Sequence, residues 1–253
     1  GDINGDGIAD LLVGAPYTDQ VGPNSDVGRG YVVFGGQPFA TTVDQMGTTG
    51  DDTLTGTTIS ETLVGNTGND TLIGGGGADV LYGGSGNDVF VLNADNLAKL
   101  ASGVTNGQLA KVDGGSGIDQ IRLDGASLSF DLTAISHIAA SNLDGGSRIN
   151  SIEKIDLTGS GNNAIKIDAR IIQDLTGMNL WNTDGNSGIA DSVHQLMVNG
   201  NSGDSVVLAD FANWAKGSSY TDNGALYDVW TNSAARTQLL IEQTITSVTS
   251  GVL

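Results

Sequence analysis

The chain has 253 residues, 10 basic against 29 acidic, a net charge of −19 and no cysteine. That balance repels nucleic acid and anionic membrane surfaces, disfavours phosphate binding and attracts divalent cations. Without thiols there are no disulfides or thiolate metal sites, so a secreted form needs another cross-link, and no apolar run is long enough to span a membrane.

Residues 1–16 read GDINGDGIADLLVGAP. Asp2, Asn4, Asp6 and Asp10 alternate with small residues ahead of the β-prone Leu11, Leu12 and Val13, which puts their oxygens on one side of a loop. Gly7 allows the sharp turn, the Ile8 carbonyl is a backbone ligand, and Asp10 closes the loop earlier than an EF-hand would. A nine-residue calcium loop is expected. Together with GRGYVVFGG at 28–36, the stretch 1–36 resembles an FG-GAP repeat, the blade unit of integrin-like β-propellers. A propeller needs about four to eight blades, so the resemblance implies either part of a truncated propeller or a calcium-pinned β-hairpin. Because the chain opens on Gly1 inside this motif, we expect a fragment of a longer protein. Residues 37–46, with Pro38 and no sustained apolar period, read as a connector.

From Gly47 to Val91 the sequence repeats every nine residues through five units: GTTGDDTLT, GTTISETLV, GNTGNDTLI, GGGGADVLY and GGSGNDVFV. Each opens on glycine, carries an acid at its sixth place (Asp52, Glu61, Asp70, Asp79, Asp88) and an apolar residue at its eighth (Leu54, Leu63, Leu72, Leu81, Phe90). Six residues of turn followed by three of strand predict a flattened parallel solenoid in which two units close one coil. Asp52, Asp70 and Asp88 then stack on one edge, Glu61 and Asp79 on the other. Coils about 4.8 Å apart bring like carboxylates close enough to repel by about 3.5 kcal/mol at an effective dielectric of 20. A cation between them is required, and calcium accepts six to eight oxygens in flexible geometry. The candidate ligands are the acids and turn oxygens of the fuller units: Gly47, Thr49, Asp51 and Asp52; Gly65, Thr67, Asn69 and Asp70; Gly74, Gly76, Ala78 and Asp79; Gly83, Ser85, Asn87 and Asp88. GNTGND, GGGGAD and GGSGND resemble the nonapeptide of the RTX family of secreted bacterial proteins, which implies a β-roll filled by several calcium ions. Thr57, Ile59 and Glu61 depart from that pattern.

Asn93 or Asp95 can cap a short helix through Leu97 and Leu100, and the insertion 93–112 should cover an end of the roll. GGSGIDQI, from Gly114 to Ile121, repeats the nonapeptide at a distance that is not a multiple of nine, so the coil is expected to resume out of register. Asp119 there is either a further ligand or part of an isolated turn. The roll is thus expected over 47–123. Residues 124–253 alternate short β runs with turns and predict a separate β-rich domain, with short helices at 171–175 and at 211–216, the latter capped by Asp210 and stopped by Gly217. SIEKIDLTGSGNN, VNGNSGDSVVL and YDVWTNSAARTQLLIEQ resemble the carboxy-terminal region of large RTX adhesins exported by type I secretion. Asp184 to Asn186 and Asn201 to Asp204 either hold further calcium or only turn the chain.

Catalytic motifs fail. His137 and His194 stand in no HExxH, and no serine stands in GxSxG. Trp181, Trp214 and Trp230 are assigned to the core. The expectation is an all-β, non-catalytic, calcium-stabilised region of a secreted or surface-located bacterial adhesin or fibre protein. The resemblance implies type I export, with folding on extracellular calcium. The alternatives are a module that recognises a sugar or peptide, and a subunit that assembles with copies of itself into a filament.

Overall fold

The computed structural model describes residues 11–15, 29–33, 43–103, 105, 107–135, 147–178, 180–181 and 189–251, the first two segments as backbone alone. The chain divides into two compact units, Gly1–Asp44 and Gln45–Leu253. In the first, β1 (Leu11–Ala15) and β2 (Arg29–Val33) form an antiparallel pair in which Val13 faces Tyr31. The expected ligands Asp2, Asn4, Asp6, Ile8 and Asp10 lie outside the described residues.

In the second unit, a repeat with one apolar place in nine can bury that place only by stacking on its own copies. Stacking puts β3 (Gln45–Met46), β5 (Thr62–Thr67), β7 (Val80–Ser85), β9 (Lys111–Ser116) and β12 (Ile149–Asn150) into one parallel sheet. The opposite face is a second sheet that begins with β4 (Thr53–Thr55), β6 (Thr71–Ile73), β8 (Val89–Leu92), β10 (Gln120–Leu123) and β13 (Lys154–Asp156), all parallel. It continues through β15 (His194–Asn199) and β19 (Thr237–Glu242), then turns antiparallel in β18 (Ala225–Asn232) and β17 (Ala215–Asp222). One inward row runs its length: Leu54, Leu72, Phe90, Ile121, Ile155, Val198 and Ile241 face each other coil by coil. A shorter row on the first face joins Leu63, Leu81, Val112 and Ile149.

Four expectations are corrected here. Strands in alternate units run six residues, not three, because inter-coil pairing continues into the next turn through Asn66 opposite Gly84 and Thr67 opposite Ser85. The coil after the insertion resumes in register, with Ile121 facing Phe90 and Gly115 facing Gly84. Asp88 and Asp119 are 31 residues apart where their predecessors are 18 apart, and the extra residues leave the stack as a loop containing helix α1 (Ala94–Ala101). Register is set by the inward row, not by residue count. Third, the described part of 124–253 shares a sheet and the main buried core with the nonapeptides, and adds a smaller apolar cluster around Trp181, Met197 and Tyr227, so residues 123 and 124 do not mark a break in the main core. Finally, of the helix expected at 211–216 only Phe211–Asn213 is helical, as a 3₁₀ turn, and Gly217 lies inside β17. Asp210 spends its carboxylate on Trp214 Nε1 (2.7 Å) instead of capping a helix.

Past the insertion each coil gains a third side, formed by β11 (Ser129–Asp131), β14 (Ala164–Ile167), β16 (Ser205–Leu208) and β20 (Ser247–Thr249). Helix α1 is capped by Asn93, whose side chain accepts from the Asp95 and Asn96 N–H groups, and it buries Leu97 and Leu100 in the common core. Helix α2 (Ala169–Leu175) is capped by Asp168 through the Ile171 N–H (2.9 Å) and buries Ile171, Ile172 and Leu175. Among the described residues no helix is long and apolar enough to cross a membrane.

Phe90 is fully buried at the centre of the long row. Phe90→Ala should therefore cost about 3–5 kcal/mol, read as a lowered urea midpoint in saturating calcium with the β-sheet circular dichroism retained before the transition.

Candidate metal centre

Asp52, Asp70, Asp88, Asp119 and Glu153 each sit two residues before a member of the long inward row, so the register that aligns the row aligns the acids on one edge. The Asp52 N–H donates to Asp70 Oδ1 (2.8 Å), the Asp70 N–H to Asp88 Oδ1 (2.7 Å), the Asp88 N–H to Asp119 Oδ1 (2.8 Å) and the Asp119 N–H to Glu153 Oε2 (2.9 Å). Every acid after Asp52 thus spends one oxygen on the coil before it.

The other oxygen is different. Oδ2 of Asp70, Asp88 and Asp119 is buried and has no hydrogen-bond partner among the described residues. Each lies against the glycine that opens its own turn. A methyl group on Gly65 would strike Asp70 Oδ2 and the carbonyl oxygen of Gly83, and one on Gly83 would strike Asp88 Oδ2 and the carbonyl oxygen of Gly114. Gly114 repeats the arrangement with Asp119 Oδ2 and the Ser151 carbonyl. A buried carboxylate oxygen beside a carbonyl oxygen, without a donor, costs on the order of 1–3 kcal/mol or more. It is also an oxygen-only, negatively charged donor set of the kind a hard cation takes. Among the described residues no three acidic or histidine side chains converge on one point, so a coordination shell here draws on other oxygens, and the carbonyls of Gly83, Gly114 and Ser151 stand nearest the unpartnered carboxylate oxygens.

Residues 55–90 match the family model of the RTX calcium-binding nonapeptide repeat, in four copies. This family binds calcium, and the unpartnered oxygens fit that ion. Residues 1–33 match the model of the FG-GAP repeat. The two matched families are structural and binding modules, and RTX repeats are typical of secreted bacterial proteins. No curated protein and no solved structure matches the chain.

The remaining expected ligands take several places. Asp51, Asn69 and Asn87 are exposed, and their Oδ1 atoms form a second ladder that runs the opposite way, accepting from the N–H groups of Asn69 (2.7 Å), Asn87 (2.8 Å) and Ile118 (2.7 Å). The Ser85 carbonyl accepts from the Gly68 N–H (2.9 Å), and Thr67 pairs with Ser85 across the coils. Thr49 is exposed at the first turn, where the carboxylate of Asp52 accepts from the Thr48 N–H (2.6 Å). Gly47 lies so close to the Gly65 carbonyl that no side chain fits. On the opposite edge the Glu61 N–H donates to Asp79 Oδ1 (3.1 Å), but Asp79 Oδ2 accepts from Asn96 Nδ2 (2.8 Å), with Gly74 against the same amide and Gly76 near Asp95. Ala78 donates its N–H to Ser60 Oγ (3.2 Å).

Glu153 is a ladder member that the nonapeptide pattern does not reveal. Its turn has lost the glycines, yet Glu153 keeps the spacing to Ile155 that Asp119 keeps to Ile121. The same acid-to-apolar spacing marks Asn163 and Asp204 on the third side, where the Leu128 N–H donates to Asn163 Oδ1 (2.8 Å) and the Asn163 N–H to Asp204 Oδ1 (2.7 Å). Asp204 Oδ2 accepts from the Asn201 N–H (2.5 Å), so both oxygens of this carboxylate are used in turning the chain. Of the aromatic and histidine candidates, Trp181 and Trp214 are buried and Trp230 is partly buried against the core beside Phe211. His194 Nδ1 lies 2.7 Å from the Thr176 carbonyl, while His137 and Asp184 to Asn186 lie outside the described residues.

Burial raises the carboxyls of Asp79 and Asp119 to about 7 and those of Asp88 and Glu153 to about 6, and it raises Asp70 as well. Asp52 at the end of the ladder is lowered by the Thr48 hydrogen bonds. A carboxyl that is harder to ionise folded than unfolded takes up protons on folding, so the calcium-free fold should lose stability as pH rises from the unfolded carboxyl range near 4 through about 6–7. In EDTA the β-sheet circular dichroism should be stronger at about pH 5.5 than at about pH 8. In saturating calcium, which competes with protons for these oxygens, the order should reverse.

Proposed function

We propose that this chain is a non-catalytic, calcium-stabilised structural region of a large secreted bacterial protein of adhesin or surface-fibre type. The carboxylates of Asp70, Asp88 and Asp119, with carbonyls of the glycine-opened turns that include Gly47, Gly65 and Gly83, hold the ions of the roll. The loop of Asp2, Asn4, Asp6, Ile8 and Asp10 holds another. The observation that carries this reading is the row of buried carboxylate oxygens left without donors in successive turns.

Calcium supplies the positive charge that allows those oxygens to be ionised where they are buried. Before any coil has stacked there is no site, so the free energy of binding is folding free energy. Extracellular calcium modules bind at about 10⁻⁴–10⁻³ M, far above cytosolic calcium. The chain would therefore stay unfolded inside the cell, a state suited to a type I export channel, and close outside it.

A recognition role is the second reading. It is favoured by a groove of about 350 Å³ on the outer face of the long sheet, lined by Val89, Ile118, Gln120, Lys154, Trp181 and Asp222 among others. A glycan array probed with and without EDTA distinguishes the two, because a purely structural region retains no sugar in either condition.

For the first reading, calcium titration followed by circular dichroism should show a cooperative gain of β structure that EDTA reverses. Asp88→Asn, which removes a charge bordering two gaps of the ladder, should raise the calcium midpoint at least about tenfold, equivalent to about 1.4 kcal/mol. The exposed Asp124→Asn should leave it unchanged. A fold indifferent to EDTA would overturn the reading.

A further inference from the structure

The two edges of the roll present different chemistry to a cation. On the edge of Asp52, Asp70, Asp88, Asp119 and Glu153, the next level of the stack supplies another carboxylate from Asp52 through Asp119, and among the described residues three carboxylate oxygens stay buried and unpartnered. On the edge of Glu61 and Asp79, the next level is the start of α1. There Asn96 takes the place of a cation rather than of an acid: its Nδ2 donates to Asp79 Oδ2 at 2.8 Å, and Asn96 is 3 % exposed. Asp95, on the same turn of helix, accepts the Gly77 N–H at 2.7 Å. The Asn96 amide is held in this orientation from behind, since its Oδ1 accepts from the Asn93 N–H (3.3 Å) as half of the helix capping box. Both Asp79 oxygens therefore have protein donors, and a methyl group on Gly74 would strike the Asn96 amide.

We infer that calcium is held along one edge of this roll only, and that Asn96 closes the other by giving Asp79 an N–H donor in place of a cation. The inference rests on the calcium reading of the first edge and adds the selection between edges. An amide donor and a divalent cation are alternatives for the same carboxylate oxygen. The amide needs no ion to satisfy it, so in the folded roll the junction of α1 with the second edge requires no metal of its own, while the first edge depends on the metal. The insertion that interrupts the nonapeptide count is what brings the amide there. It also excludes Gly74, Gly76, Ala78 and Asp79 from the ligand set.

The test is the number of calcium ions on the intact chain, counted by native mass spectrometry across a calcium titration, with circular dichroism to verify folding. Asp79→Asn removes the charge and leaves one oxygen for the two N–H donors that meet there, so it should lose some stability yet bind as many ions as the unaltered chain. Asp88→Asn should bind at least one fewer. Asn96→Asp keeps the oxygen that the Asn93 N–H uses, places a carboxylate against Asp79 and should bind one more ion, with terbium luminescence gaining a matching increment. Loss of an ion in Asp79→Asn, or no gain in a folded Asn96→Asp, overturns the one-edge assignment while leaving the calcium reading intact. An unaltered chain that binds no calcium removes the calcium reading and this inference together.

Discussion

The constraint on which the roll depends is that each stacked turn must satisfy its neighbour's main chain with a side chain. Where ordinary parallel strands pair, N–H and C=O groups satisfy each other. In the turns that pairing lapses, and the N–H groups of Asp52, Asp70, Asp88 and Asp119 on the first edge find their acceptors in the carboxylate of the following coil. Distances of 2.7–2.9 Å along this ladder show that four successive levels repeat the geometry, including the level that follows a looped-out helix and the level whose turn has no glycine. A carboxylate has two oxygens, however, and the one-for-one exchange with main-chain N–H groups uses only one. The surplus oxygen is buried by the same close approach of coils that makes the ladder possible. The need for a counter-ion follows directly from this geometry, and the excess of acidic over basic residues is its compositional trace.

Glycine matters here for space as much as for conformation. At Gly65 and Gly83 a carboxylate oxygen of the same turn and a carbonyl oxygen of the next coil occupy the volume a side chain would need. At Gly86, with φ of 128°, a methyl group would drive into the Gly68 carbonyl. At these positions the coils approach this closely because the residue carries no side chain, and the close approach leaves the oxygens in a medium from which water is excluded.

Much of this was legible in the sequence because a nonapeptide ties chemistry to register: once Leu54, Leu72 and Phe90 are placed in a row, Asp52, Asp70 and Asp88 have nowhere else to be. The capped helix around Leu97 and Leu100 was legible for a similarly local reason, an asparagine ahead of an apolar pair. What the sequence concealed was non-local. The count from Gly83 to Gly114 suggests a slipped coil, whereas the inward row re-forms opposite Phe90 and the surplus residues are expelled. Glu153 is hidden because its turn keeps only the last element of the motif, the acid two places before an apolar residue. Asn96 falls within the expected helix, and nothing in a linear sequence says that its amide meets a carboxylate seventeen residues earlier. The unity of the nonapeptides with 124–253 was hidden because sheet continuity survives the loss of the repeat.

The antiparallel hairpin at the far end of the long sheet bears on how the molecule avoids its own kind. Parallel solenoids grow by offering an open strand to the next identical layer, which makes an unprotected terminus a seed for runaway stacking. Here β17 reverses the strand direction, its pairing with β18 slips between Lys216 and Ser219, and most of its side chains are small, polar and solvated. On the neighbouring side β20 offers only three residues. A second copy arriving in the parallel sense meets a bent, hydrated and mismatched border, so this geometry works as a brake on fibrillation at that terminus.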